Sequence, residues 1–165
     1  MSGGLVIRRA NVTDARPVIE AHHAAVREKA VKHYSKEIIA AWAPAEISPE
    51  RVAKLEAQID SGEFFTLVAE VDAKVIGFGQ VNVNKNVLGA VYVRKNAIGG
   101  VGERLVKQLI QHARDKQCRF LGMDSSLNAE AFYRRNGFKV MGYGKHRITS
   151  AGLDMDCVQM MMKLE

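Results

Sequence analysis

The chain has 165 residues, of which 47% are apolar and 25% charged, the balance of a folded domain and not of a disordered tail. No apolar run approaches the ~18 residues that a helical membrane span needs. The formal net charge is +6, but the lysines and arginines are scattered and form no dense block, which argues against a nucleic-acid interface and for a small polyanionic ligand.

This length suits one domain covering residues 1–165, a sheet covered by helices on both sides. The start, Met1-Ser2-Gly3-Gly4-Leu5, lacks the basic and apolar regions of a signal peptide, so the expected compartment is the cytoplasm. Cys118 and Cys157 have no metal or redox spacing and read as small buried thiols. The histidine pair His22-His23 and the distant His112 offer no metal-binding spacing either.

In chain order, Val6 to Ala10 reads as a strand and Thr13-Asp14 as the start of a helix through His22-His23, with Val18, Ala21, Ala25 and Val26 on its core face. Ser35-Lys36-Glu37 opens a short second helix carrying Ile38, Ile39 and Trp42. Ser48-Pro49-Glu50 opens a third, with a serine cap and proline at the first helical position. A meander follows: Phe64 to Val71, Val75 to Val83 and Val87 to Val93, with a tight connection at Asp72-Ala73-Lys74. From Gly102 to Gln117 the period turns helical, and Leu105, Val106, Leu109, Ile110 and Ala113 share one face. Arg119 to Met123 is a further strand, and Ser125 or Ser126 caps a short helix ending at Asn136-Gly137. Lys139 to His146 and Asp156 to Leu164 close the chain as a strand pair around Ser150-Ala151-Gly152.

Two segments carry chemistry. Gly99, Gly100 and Gly102 stand at a strand-to-helix turn, where unpaired backbone N–H groups and the helix dipole favour an anion and bare glycines let a diphosphate approach. No Gly-Lys-Ser or Gly-Lys-Thr follows, so this is not an ATP-binding loop, and the antiparallel meander before it excludes the dinucleotide fingerprint. Downstream, the helix from Leu127 to Asn136 places Ala129, Phe132 and Tyr133 inward. A phenol there can donate a proton to a departing thiolate, the step that acyl transfer from a thioester requires.

Together these segments resemble the GNAT superfamily of acyl-CoA-dependent N-acetyltransferases over nearly the whole chain. Ile7-Arg8-Arg9-Ala10 with Thr13-Asp14-Ala15 is similar to the family's first strand and helix, Tyr92-Val93 through Gly102 to its pyrophosphate loop, and Asn128 to Phe138 to its Asn-x-x-x-x-Tyr-x-x-x-Gly-Phe segment. The resemblance implies an α/β (α+β) fold with a mixed, mostly antiparallel sheet of about six or seven strands, splayed between the fourth and fifth. It implies acetyl-CoA as co-substrate, no metal, and N-acetyl transfer to a primary amine. By the same resemblance the backbone N–H groups of Ile98, Gly99, Gly100, Val101 and Gly102 hold the pyrophosphate. Ala90, Val91, Tyr92 and Val93 lie along the pantetheine arm and the thioester, Asn128 hydrogen-bonds the pantetheine, and Tyr133 protonates the thiolate. Homodimers are common in that family, and the resemblance implies one here.

The chain departs from the family pattern in three respects. Ala97 stands where Gln or Arg is usual and the segment from Val93 to Gly100 is one residue shorter than typical, leaving the pyrophosphate to main-chain donors, and the strand from Val87 to Val93 lacks the carboxylate that several members use as general base. Asp124, at the mouth of the fifth strand, is the candidate base, with Glu70 and His33 behind it. His33, Tyr34 and Trp42 fall where the fold builds its acceptor pocket. A small-molecule amine is the expected acceptor, since no acidic run marks a groove for a basic protein tail. The rival readings are a non-catalytic acyl-CoA sensor, a nucleic-acid-binding domain and a protein-tail acetyltransferase.

Overall fold

The computed structural model describes residues 4–97 and 99–165, so the predicted phosphate contact at Ile98 lies outside the described residues. Among the described residues no helix is long and apolar enough to cross a membrane. The first elements are strand β1 (Val6–Arg9) and helices α1 (Ala15–Lys29), α2 (Lys36–Trp42) and α3 (Pro49–Ser61). Strands β2 (Phe65–Val71), β3 (Lys74–Asn82) and β4 (Val87–Val93) form the meander, followed by α4 (Val101–Asp115), β5 (Phe120–Ser126) and α5 (Glu130–Arg135). The last hairpin is β6 (Lys139–Ile148) and β7 (Leu153–Lys163).

Local chemistry sets these boundaries. The Asn11 side chain accepts the Thr13 N–H and the Asp14 carboxylate accepts the Asn11 N–H, a capping box around one 3-10 turn. That turn moves the start of α1 to Ala15, past the predicted Thr13-Asp14. Ser35 and Ser48 cap α2 and α3 through the N–H groups of Ile38 and Arg51, each at 3.2 Å. Between β2 and β3, Asp72 and Ala73 both adopt positive φ, the backbone twist that a two-residue hairpin loop requires.

Among the described residues the strands form one seven-stranded sheet in the order β1-β2-β3-β4-β5-β7-β6. All neighbours are antiparallel except β4 and β5, which pair in parallel at Val87↔Gly122. Alternation along β2 divides the core. Leu67 and Ala69 face α4, whose Leu105 and Leu109 are fully buried, whereas Val68 joins Val18 of α1 and Phe78 of β3 on the opposite face. Each such fully buried leucine contributes roughly 1.5–3 kcal/mol. Gly79 is needed here because a Cβ would come within 2.6 Å of Leu109 Cδ1.

The closing hairpin is longer than its hydrophobic pattern predicted. Cross-strand ion pairs Lys145–Asp156 and Arg147–Asp154 extend the ladder to Ile148↔Leu153. The predicted serine cap differs in detail. Ser126 precedes a 3-10 turn (Leu127–Ala129) and makes no side-chain cap, while the Ser125 hydroxyl donates to the Ser126 carbonyl at 2.8 Å. Leu127 N–H is held instead by the hydroxyl oxygen of Tyr34, at 2.9 Å.

Candidate active site

Past Val87↔Gly122 the strands β4 and β5 line a cavity of about 390 Å³ instead of pairing. Ala90, Val91, Tyr92 and Val93 form one wall and Asp124 and Ser125 the other, and Gly99, Gly100, Val101 and Gly102 stand at its rim. A second cavity of about 360 Å³ contains Asp124, Ser125, His146, Met155 and Cys157. Trp42, Tyr92 and Asp124 belong to the walls of both. The opening in the sheet therefore gives two compartments a shared boundary.

The glycine rim opens on an uncapped helix N-terminus, a setting that favours an anion. Gly100 sits at φ 87° and leads directly into α4, with no side chain capping the first turn. A Cβ at Gly99 or Gly100 would meet nothing within 4 Å, so the space above these residues is open. Glu28 of α1 fixes the approach to the rim: its Oε1 accepts from Arg94 Nε at 3.0 Å and from Lys95 N–H at 3.1 Å. Arg135, Lys29 and Lys95 line the same cavity and add cationic charge. From the sequence, only main-chain donors are expected at this turn. Arg135 follows two residues after Tyr133, but its approach to the glycine turn depends on how α5 packs.

Main-chain geometry distinguishes the β4 residues. Arg94 donates its N–H to Ile76 of β3 at 2.8 Å, so the two-residue repeat of an antiparallel ladder directs Ala90 and Tyr92 N–H toward β3 and Val91 and Val93 N–H toward the opening. The Tyr133 hydroxyl lies by the Val91 N–H. Tyr133 is 4% exposed and packed edge-on between Phe132 and Phe138. Burial raises its pKa well above the ordinary phenol value, with Tyr92 adding to the shift and the Val91 amide opposing it. Tyr133 thus holds its proton throughout the neutral range.

Asn128 supplies a test of fit. Its Oδ1 is buried without a hydrogen-bond partner among the described residues, while the residue lines the first cavity. An orphaned buried acceptor is costly unless a ligand donates to it. An amide-bearing arm lying in that cavity would satisfy it, and open glycines with nearby cations suit the phosphates at the other end. The residues present therefore fit coenzyme A.

The remaining predicted positions are distributed differently. Asp124 is exposed, and its Oδ2 lies 3.2 Å from Nδ1 of the likewise exposed His146, a partner that sequence spacing does not reveal. Glu70 is held away from either cavity by Arg8, which also binds Asp14. Trp42 lines both cavities and packs against Tyr92 and Tyr34. Tyr34 is a strut: its hydroxyl donates to the Asp156 carbonyl at 2.5 Å while accepting from Leu127 N–H. His33 is exposed, outside the described walls of either cavity.

Residues 30–164 match the family model of the acetyltransferase (GNAT) domain. The fold is similar to a GCN5-related N-acetyltransferase from Rhodopseudomonas palustris, with TM-score 0.85, 22% identity, and 99% of this chain and 98% of that chain covered. It is also similar to the PaiA N-acetyltransferase of Thermoplasma acidophilum in complex with coenzyme A (TM-score 0.77, 21% identity, 97% and 99% covered). A third similar structure is YncA of Salmonella typhimurium, a putative acetyltransferase with its cofactor acetyl-CoA (TM-score 0.68, 23% identity, 98% and 94% covered). A comparison with curated protein sequences found no match. The seven-stranded sheet with its single parallel junction agrees with these neighbours, and on the family match the chain belongs to the GNAT acetyltransferases.

Proposed function

We propose that the protein transfers the acetyl group of acetyl-CoA to a primary amine of a small molecule by direct attack, with no covalent enzyme intermediate. The observation that carries this reading is the placement of Val91 N–H, the Tyr133 hydroxyl and the orphaned Asn128 Oδ1 around one cavity that shares a wall with a second. When bound, acetyl-CoA supplies a thioester whose carbonyl carbon is the electrophile.

Each residue then has a definite task. The N–H groups at the start of α4, with Arg135 beside them, hold the pyrophosphate. Asn128 Oδ1 accepts from an amide of the pantetheine arm. Val91 N–H polarises the carbonyl oxygen, at a position where a main-chain donor needs no reorganisation during reaction. Tyr133 donates its proton to the departing sulfur. Its raised pKa is compatible with that role because the thiolate would form in the same desolvated cavity, which disfavours both anions. Asp124 belongs to the apparatus that removes the amine proton, and Trp42 gives the acceptor an aromatic wall.

Acetyl-CoA-dependent thiol release with a panel of small amines tests this function. Amine-dependent turnover accompanied by acetylated product is the expected result. Coenzyme A binding with no turnover on any amine would mark a sensor and overturn the transferase reading.

A further inference from the structure

The second cavity contains a pairing that the family resemblance did not supply. His146, on β6, and Asp124, on β5, belong to strands separated in the sheet by β7. Their side chains meet across it, with Nδ1 to Oδ2 at 3.2 Å, and both line the second cavity. We propose that His146 is the catalytic base of the acetyl transfer and that Asp124 is the residue that positions it. This rests on the transferase reading above and replaces the simpler assignment of Asp124 as the proton acceptor.

The geometry gives the two side chains different tasks. A carboxylate can only accept, so the contact requires the proton on Nδ1, and in the neutral ring this leaves the Nε2 lone pair free. The cavity that receives this imidazole is bounded by Tyr92 and Trp42, which also wall the first cavity. An amine acceptor lying there would reach the sheet opening with His146 beside it.

The surrounding charges leave the pair to act together. Alternation along β6 sends Lys145 and Arg147 to the other face, where they are paired with Asp156 and Asp154 of β7. Met155 lies opposite His146 in the β6–β7 register. The other titratable groups on the cavity wall are Tyr92 and Cys157, both with pKa raised chiefly by burial and therefore neutral at pH 7. Asp124 is thus the one anionic group facing His146 among the described residues of that wall.

In the balanced step, the C–N bond forms as the C–S bond breaks. The surplus proton on the amine nitrogen passes to His146 Nε2 and then to solvent, and the sulfur receives the Tyr133 proton, which solvent replaces. No oxidant or further reactant is required.

The test compares His146→Gln, Asp124→Asn and wild type by kcat and KM over pH 5 to 10, on an amine that wild type acetylates, with coenzyme A affinity and thermal melting as controls. We expect His146→Gln to lower kcat roughly 10²–10⁴-fold, the range for loss of a general base, with unchanged coenzyme A affinity. The acid limb that an imidazole gives to kcat/KM is expected to vanish with it. Asp124→Asn is expected to retain that limb at reduced kcat, the signature of a positioning residue. Wild-type kcat and pH profile in folded His146→Gln would overturn the proposal and leave the transferase reading standing. Absence of amine turnover in wild type would overturn both.

Discussion

The Tyr34 hydroxyl accepts the Leu127 backbone N–H at 2.9 Å across 93 residues of sequence. It also donates to the Asp156 carbonyl at 2.5 Å, so one phenol ties the loop before α2 to β7 and to the turn that carries Asn128. Tyr34→Phe leaves the Leu127 N–H without that partner, and the expected loss of stability is about 1–3 kcal/mol. Urea unfolding checks this. A midpoint equal to that of wild type would show that the strut contributes nothing.

Tyr133→Phe keeps the ring between Phe132 and Phe138 and removes only the proton donor. The expected effect is a fall in kcat of about 10²-fold or more with coenzyme A affinity retained. The Tyr133 pKa is raised in the folded state, so the neutral donor persists through the neutral and mildly alkaline range. Steady-state kinetics at pH 7 to 9.5 check both points. Unchanged turnover would remove Tyr133 from the mechanism.

Acid should destabilise the fold through two buried imidazoles. His22 is 8% exposed with its pKa pushed down to about 3, and His23 is 4% exposed with its pKa pushed down to about 4, burial being the largest cause in each. Arg51 can only donate, so its 3.2 Å contact makes His22 Nδ1 an acceptor and the ring neutral. Unfolded histidines protonate near pH 6.5, so this stability is complete above that pH and is lost as pH falls toward the folded values. The slope approaches about 1.4 kcal/mol per pH unit for each site. Urea midpoints from pH 7.5 to 5 check it, with His22→Gln expected to flatten the slope. A flat wild-type profile would contradict neutral core histidines.

Gly99→Val separates folding from ligand binding. A Cβ there meets nothing within 4 Å, so the melting temperature is expected to remain within about 2 °C of wild type. The branched side chain would nevertheless fill the space through which a pyrophosphate approaches the α4 amides, and coenzyme A affinity is expected to fall about tenfold or more. Unaltered affinity measured by calorimetry would place the phosphates elsewhere.

Features encoded by neighbouring residues were legible in the sequence. The heptad-like face from Leu105 to Ala113, the Ser48-Pro49 start of α3 and the alternation from β2 to β4 are local patterns, and each element forms where its pattern lies. The spacing of Asn128 and Tyr133 is local too, set by one 3-10 turn running into α5, and both residues line the first cavity. The Asp124–His146 contact was not, because the side chains meet only after β7 inserts between β5 and β6. The sequence places Tyr34 among the candidate substrate contacts but does not reveal its bond to Leu127, which depends on the long excursion from α2 to β5. The hairpin ends were underestimated because charged pairs beyond the apolar run continue the ladder.

Isothermal titration of coenzyme A into folded protein tests the central claim most directly, because cradle, Asn128 and Tyr133 all derive their roles from that ligand. Saturable one-to-one binding is predicted, and it is predicted to weaken in Gly99→Val. No heat at any concentration, with the protein folded by thermal melt and over a range of temperatures that excludes a cancelling enthalpy, would contradict the account.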